Sequence, residues 1–325
     1  MDKPVLGLQQ IFHQNSLHMR LFIFFFVLLL GRTAHAQTPT DGLMMPQGQL
    51  CILGQYSNSS WENYWQGETK RSNLNLGTLT TQNILVMGNY GITKKLNIML
   101  GLPYVWTSSD VSYITGQKGL QDLSLFLKYE ALELAAPGGV FKVQATGGLS
   151  TPASNYTPDL LPFSIGLHSQ TASVRAVLNY TADFGLYVTA QAGHTWRGST
   201  TLDHNSYIFN HELIYSDEMP VPNVFDYSAR LGFINQRVQA ELWYDAFNCL
   251  SGDDIRYNES PQPSNKMSAG QAGIFGKYFL TKRFAVLASL SKVLSGRNVG
   301  ESLTWTAGAT YFLDINKKGD EEVGK

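Results

Sequence analysis

The segment Arg237-Val238-Gln239-Ala240-Glu241-Leu242-Trp243-Tyr244-Asp245-Ala246 alternates two kinds of side chain without a break. Val238, Ala240, Leu242, Tyr244 and Ala246 fall on one side. Gln239, Glu241, Trp243 and Asp245 fall on the other. A strand turns successive side chains to opposite faces, so this segment has one apolar face and one polar face. Residues 303–314 repeat the pattern, with Leu303, Trp305, Ala307, Ala309, Tyr311 and Leu313 set against Thr304, Thr306, Gly308, Thr310 and Asp314. Leu186 to Arg197 does so again. Such strands, about ten residues long and separated by turn residues, are what a transmembrane β-barrel requires.

An export signal precedes them. Leu21 to Leu30 is an unbroken apolar run, too short to cross a bilayer as a helix. Arg20 stands before it and Ala34-His35-Ala36 after it, with small residues where a signal peptidase reads them. Residues 1–36 are therefore expected to be a signal peptide, cleaved after Ala36, with Met19 a candidate start. Residues 37–46 are expected to be a periplasmic segment, 47–316 the barrel and 317–325 a periplasmic tail.

Only 15% of residues are charged, against roughly 25% in soluble domains. A soluble sandwich would need more charge on its outer face, whereas a barrel turns its apolar face to lipid. The net charge of −1 gives no reason to expect a nucleic-acid partner. Cys51 and Cys249 fall at opposite ends of the expected barrel, on the order of 25 Å apart across the apolar band. A disulfide needs Cα atoms within about 7 Å, so two free thiols are expected.

Tight turns fall at Thr93-Lys94-Lys95, Ala136-Pro137-Gly138-Gly139, Asp183-Phe184-Gly185, Asn235-Gln236 and Thr281-Lys282-Arg283. Longer polar connections fall at 58–79, 109–119, 152–166, 198–222, 251–265 and 296–301. Together they predict an all-β, antiparallel barrel of twelve strands, with both termini on the tight-turn side, which in bacterial barrels is the periplasm. Residues 198–222 are either a hairpin standing above the membrane or two more membrane strands, which would give fourteen. Tyr90, Tyr129, Tyr180, Tyr278 and Tyr311 fall on the apolar face at the tight-turn end, and Trp106, Trp196 and Trp305 at the other. This is the arrangement of two interfacial girdles.

The polar face supplies the candidate functional residues: Asp122, Lys128, Gln144, Arg175, Gln191, Arg230, Glu241 and Asp245. Pairing about the Asn235-Gln236 turn places Arg230 opposite Glu241 and Asp226 opposite Asp245. Two facing carboxylates would form a cation or substrate constriction, or else belong to a structural network with Arg175 or another base. Trp243 shares that face and would narrow the lumen. His204-Asn205-Ser206 invites comparison with the His-x-Ser pair of outer-membrane phospholipases, but the sequence offers no evident acidic or amide orienter. No Walker A loop, dinucleotide fingerprint or Cys-x-x-Cys occurs, and no cofactor is expected.

Leu96-Asn97-Ile98-Met99-Leu100-Gly101-Leu102-Pro103-Tyr104, followed after a short loop by Gly119-Leu120-Gln121-Asp122-Leu123-Ser124-Leu125-Phe126-Leu127-Lys128-Tyr129, resembles the outer-membrane family called "MetA-pathway of phenol degradation". That family carries a Gly-Leu-Pro-Tyr-like strand and a Gly-Leu-Gly-Asp-Leu strand ending in Lys-Tyr. This chain departs from it at Gln121. The resemblance implies a transporter-like barrel in the bacterial outer membrane, with lipid and small, hydrophobic or aromatic solutes as its partners. Asp122, near the outer mouth, either binds backbone amides of the loop 109–119, with Gly116 and Gly119 in positive-φ turns, or is an ordinary aspartate at a strand start. Two alternatives stand beside a solute-passing barrel: a lipid-modifying barrel enzyme, and a plugged structural or adhesion barrel.

Overall fold

The structure is a computed structural model that describes residues 38–111, 113, 115–210, 212–256 and 259–315. The expected signal peptide, Gln37 and the expected tail at 317–325 lie outside the described residues. Twelve long strands form the wall: β1 (Gln49–Trp61), β2 (Leu79–Gly91), β3 (Leu96–Ser109), β4 (Asp122–Ala136), β5 (Gly139–Pro152), β6 (Thr171–Ala182), β7 (Leu186–Arg197), β8 (Val224–Ile234), β9 (Val238–Cys249), β10 (Ser268–Phe279), β11 (Phe284–Arg297) and β12 (Leu303–Asp314). Each pairs antiparallel with its neighbours in the chain, and β1 pairs with β12 from Gln49↔Asp314 to Ser60↔Leu303. The ring is closed, so no strand edge is left unpaired where the surroundings are hydrocarbon.

Burial is inverted relative to a soluble protein. Ile84, Val86, Leu100, Leu149, Leu231, Leu242 and Ile274 are exposed, whereas Asn97, Lys128, Gln144, Asn179 and Thr189 are buried. The large apolar residues face lipid, and the polar residues line the inside. The alternation survives one insertion. A bulge between Glu130 and Leu132 adds Ala131 to β4, which shifts the parity by one. Leu132 and Leu134 thereby continue the outward apolar face of Leu127 and Tyr129.

The expected girdles are present. Tyr129, Tyr278 and Tyr311 are exposed at the tight-turn end, and Trp196 and Trp305 at the other. The outer belt packs ring against ring, with Tyr56 5.3 Å from Trp305 and Tyr104 6.0 Å from Trp106. Cys51 and Cys249 are free and buried.

Residues 198–222 add no membrane strand. They form two short ribbons, Ser199–Thr201 with Glu218–Pro220 and Tyr207–Phe209 with Glu212–Ile214, separate from the barrel sheet. The loop after β3 also folds differently from expectation. Its strand Lys118–Leu120 pairs with the upper part of β3. Gly116 and Gly119 are not in positive φ. Gly116 is needed for contact instead, since a Cβ there would lie 1.7 Å from the Thr107 carbonyl oxygen.

Candidate functional site: the barrel lumen

The chain before β1 does not hang free of the barrel. At the rim, Gly48 adopts φ 77°, a conformation that favours glycine, and its N–H donates to the Gly91 carbonyl at 2.8 Å. The preceding residues run back into the lumen as a strap. Met45 is buried among Cys51, Phe279, Ala285 and Phe312. Gln144 Nε2 donates to the Gly42 carbonyl at 3.0 Å, and Thr146 Oγ1 to the Pro39 carbonyl at 3.3 Å. Lys128 holds the strap most tightly. Its side chain is 0% exposed, and Nζ donates to Asp41 Oδ1 at 2.9 Å, to the Leu43 carbonyl at 2.8 Å and to the carbonyls of Asp41 and Thr38. Asp41 also accepts the backbone N–H groups of Thr38 and Leu43, which rigidifies the turn that meets the lysine. The described residues of the expected periplasmic segment 37–46 engage inward-facing side chains of β4 and β5.

Strands β6 to β9 carry a chain of ion pairs. Arg175 Nη2 is 2.8 Å from Asp226 Oδ2. Arg230 lies 3.3 Å from Glu241 and 3.6 Å from Asp245, and its Nη2 also reaches Thr40 of the strap. Glu241 accepts a 2.5 Å hydrogen bond from Tyr187 and a 2.7 Å bond from Gln239. The expected face of Arg230 and Glu241 is correct, but the expected register is not. Arg230 stands opposite Trp243, and Glu241 opposite Gly232. Asp226 faces Phe247, and Asp245 faces Ser228. The turn is wider than two residues because Asn235 Oδ1 accepts the N–H groups of both Arg237 and Val238. The resulting slip is two residues, which preserves the face of every side chain. Arg230 and Glu241 meet diagonally. The carboxylate constriction dissolves into a structural network in which Arg175 takes Asp226.

The aromatic side chains inside lie flat on the wall rather than across the lumen. A Cβ on Gly273 would come within 2.4 Å of the Trp243 indole, and one on Gly232 within 2.3 Å of the Tyr187 ring. The absence of side chains at these glycines makes room for the rings.

On β1, β2, β10 and β11, Leu53, Met87 and Leu287, with Leu85 and Phe275, form an apolar patch that begins beside the charged strands, Phe275 standing directly opposite Glu241. Between the two lies a cavity of about 210 Å³, floored by Thr38 and Asp41 and bounded by Arg230, Glu241, Trp243 and Asp245 on one side. Arg230 Nε, Asp245 Oδ1 and Gln239 Oε1 are buried there without a hydrogen-bond partner among the described residues.

A second closure lies at the loop end. In the connection from β5 to β6, Tyr156 and Ile165 pack against Val105 of β3, and Thr107 Oγ1 donates to the Phe163 carbonyl at 2.5 Å. Asp122 accepts the Tyr156 hydroxyl at 2.7 Å and, among the described residues, no amide of the loop 109–119. The Tyr156 hydroxyl in turn accepts the His168 N–H at 3.0 Å. Burial and the Asp122 carboxylate push the Tyr156 phenol well above its ordinary range, so it remains a donor. Two other connections are tied to the end of β11 by Arg297, which reaches Asp254 at 2.6 Å and Glu68 at 2.9 Å. The Arg297 hydrogen bond holds the Asp254 carboxyl below its usual range.

His204 does have an acidic partner. Its Nδ1 is 3.0 Å from Asp159. No serine hydroxyl is hydrogen-bonded to the ring among the described residues, so the comparison with a phospholipase triad ends at a His–Asp pair.

The sequence matches the family described as "Putative MetA-pathway of phenol degradation" over residues 63–312. The chain belongs to this family. No curated protein matches it. Among solved structures, an outer membrane channel from Pseudomonas putida F1 superposes with a TM-score of 0.69 at 14% identity, covering 86% of this chain and 100% of the channel. The NanC porin aligns more loosely, with a TM-score of 0.46 at 9% identity over 81% of this chain and 98% of the porin. The first likeness establishes the fold as that of an outer-membrane barrel. In this member of the family, the motif ending in Lys128-Tyr129 has a structural reason. The tyrosine is a rim anchor facing outward, and the lysine, one residue before it and therefore on the inner face, holds the strap.

The charged chain has a measurable stability role. Replacing Arg230 with Met removes the cation between Glu241 and Asp245 and frees Thr40. Tyr187 and Gln239 continue to bond Glu241, so the expected loss is about 2–3 kcal/mol, below that for a fully abandoned buried charge. Urea unfolding of the detergent-solubilised protein, followed by tryptophan fluorescence, reads it. An unchanged midpoint would show that the Arg230 pairs contribute nothing.

Proposed function

We propose that the barrel is a gated passage for small solutes with an apolar body and a polar edge, with the N-terminal strap as its gate. The observation that carries this reading is the cavity between Leu53, Met87 and Leu287 on one wall and Arg230, Glu241 and Asp245 on the other. A dry cavity of about 150 Å³ accommodates a benzene ring, so the space here suits a single substituted ring. The family description, which names phenol degradation, points to the same class of solute. Twelve strands enclose more than the side-chain-filled interior of eight and less than the open channel of sixteen. Asp122, Lys128, Arg175, Asp226, Arg230, Glu241, Trp243 and Asp245 all belong to the lumen or its mouths in this reading. Lys128 holds the gate, Asp122 fixes the outer loop, and the others shape the charged wall.

The filled lumen favours one competing reading, a plugged barrel with a structural or adhesive role. Liposomes separate the two. Removing residues 38–45 deletes Lys128's partners and the Met45 anchor while leaving every wall strand intact. The shortened barrel should admit phenol-sized solutes about tenfold faster or more than the native barrel, as expected if closing the gate is favoured by at least 1.4 kcal/mol. If both are equally impermeable, the passage reading fails and the plugged barrel stands.

A further inference from the structure

Asp41, Glu241, Asp245 and Arg230 are the charged residues that line the lumen cavity. Two of the three carboxylates are already committed. Asp41 accepts from Lys128 and from the N–H groups of Thr38 and Leu43. Glu241 takes Tyr187 and Gln239 on Oε1 and Arg230 on Oε2, and its side chain is only 4% exposed. Asp245 differs from both. Its side chain is 29% exposed on the inner face of β9. Oδ1 has no hydrogen-bond partner among the described residues, and Oδ2 lies 3.6 Å from Arg230 Nη2, too far for a hydrogen bond.

The charges around Asp245 do not balance. Arg175 is held by Asp226 at 2.8 Å, and Arg230 stands between Glu241 and Asp245, nearer to Glu241. Two guanidinium groups therefore face three carboxylates, which leaves one negative charge uncompensated. The adjacent strands bring no base, since Ser228 and Gln271 stand directly opposite Asp245. Lys277, the cation of β10, pairs with Gln239, six residues and about 20 Å along the strand from Asp245. An aromatic face lies much nearer. Trp243 shares the inner face of β9, two residues and about 7 Å away, with its indole against Gly273. Trp243 and Asp245 both line the cavity, as do Phe275, Leu53, Met87 and Leu287. An indole face attracts a cation, and a carboxylate with free lone pairs accepts its N–H donors.

We propose that Asp245 and Trp243 form a cation subsite in the lumen cavity, which takes the protonated amine of a small ring-bearing solute. The ammonium donates to Asp245 Oδ2 and lies against the indole, and the ring extends toward Phe275 and the patch of Leu53, Met87 and Leu287. A neutral alcohol of the same shape makes a weaker bond to the carboxylate, and an acid is repelled by it, so the site discriminates by charge rather than size. This inference rests on the passage reading for its biological meaning, but the subsite can be tested without conduction.

The test is calorimetric titration of the detergent-solubilised full-length mature barrel with benzylammonium, benzyl alcohol and benzoate, which share a ring and differ in charge. Benzylammonium should bind about tenfold or more tightly than benzyl alcohol, as expected of one charge-assisted contact, and benzoate more weakly than either. Asp245→Asn keeps the shape of the side chain and should bring the benzylammonium and benzyl alcohol affinities together. Trp243→Leu should reduce the preference several-fold, and it provides the measurement if Asp245→Asn does not fold. Absence of benzylammonium binding to the native protein, equal affinity for the amine and the alcohol, or a preference that survives the loss of the carboxylate or of the indole overturns the subsite. Liposome permeability is read separately. An Asp245-dependent preference in an impermeable barrel keeps the subsite and removes the passage. A permeable barrel without the preference does the reverse.

Discussion

Replacing Lys128 with Met should release the strap from the lumen and expose Cys51 to thiol reagents. The substitution preserves the length of the side chain and removes only the charge and its donors. Asp41, which is 6% exposed, is then left in the lumen without its cation, as are the carbonyls of Asp41 and Leu43. Abandoning one partner of a buried pair costs about 3–5 kcal/mol. The strap can escape that cost by leaving, because its ordered residues regain roughly 1–2 kcal/mol of backbone entropy each. The wall has no such option, since its backbone groups are paired around the ring. Met45 covers Cys51 in the native arrangement, so departure of the strap uncovers the thiol. The labelling rate should rise on the order of 100-fold, the factor that corresponds to the lower end of the lost stabilisation. Cys249→Ser serves as the background, because that cysteine is buried at the opposite end. A rate equal to that of the parent protein would mean that Lys128 does not hold the strap.

Gly91→Val should have the same consequence from a different place. A Cβ at residue 91 would lie 2.2 Å from the Pro46 carbonyl oxygen and 2.8 Å from that of Met45. Both contacts are with backbone, so no side-chain rotation relieves them. The bend that sends the strap inward is lost, although Lys128 and Asp41 are untouched. Cys51 labelling should approach that of the Lys128→Met protein, and combining the two changes should add little, since each alone already frees the same segment. Labelling that stays at the parent level would show that the bend tolerates the branched side chain and that the strap enters by another path.

Much of the wall is legible in the sequence because a closed barrel leaves every strand the same two environments. Leu303 to Leu313 can alternate only if one side is lipid and the other lumen. Arg230 and Glu241 could be assigned to one face for the same reason. Their register could not, because it depends on whether Asn235 caps two backbone N–H groups, a local choice that parity does not record. The strap was not legible at all. Thr38-Pro39-Thr40-Asp41-Gly42 has no period, and its partners lie roughly a hundred residues away on strands that looked complete without it. A signal did exist in Lys128. A lysine on an inner face needs a compensating group, and β3 and β5, on either side of it, bring no carboxylate to its side chain. The outer closure was hidden in the same way. Tyr156 and Phe163 read as loop aromatics, and only the fold places them against Val105 and Thr107.

The separation of the charged strands from the apolar patch gives the lumen a left and a right. A molecule within it cannot turn about the barrel axis without moving its polar edge onto Leu53 and Met87, or its ring onto Arg230 and Glu241. In the proposed passage it would cross the level of that cavity in one orientation. Isomers of equal volume would then differ in transit according to where the substituent sits on the ring, a form of selectivity that pore radius alone does not provide.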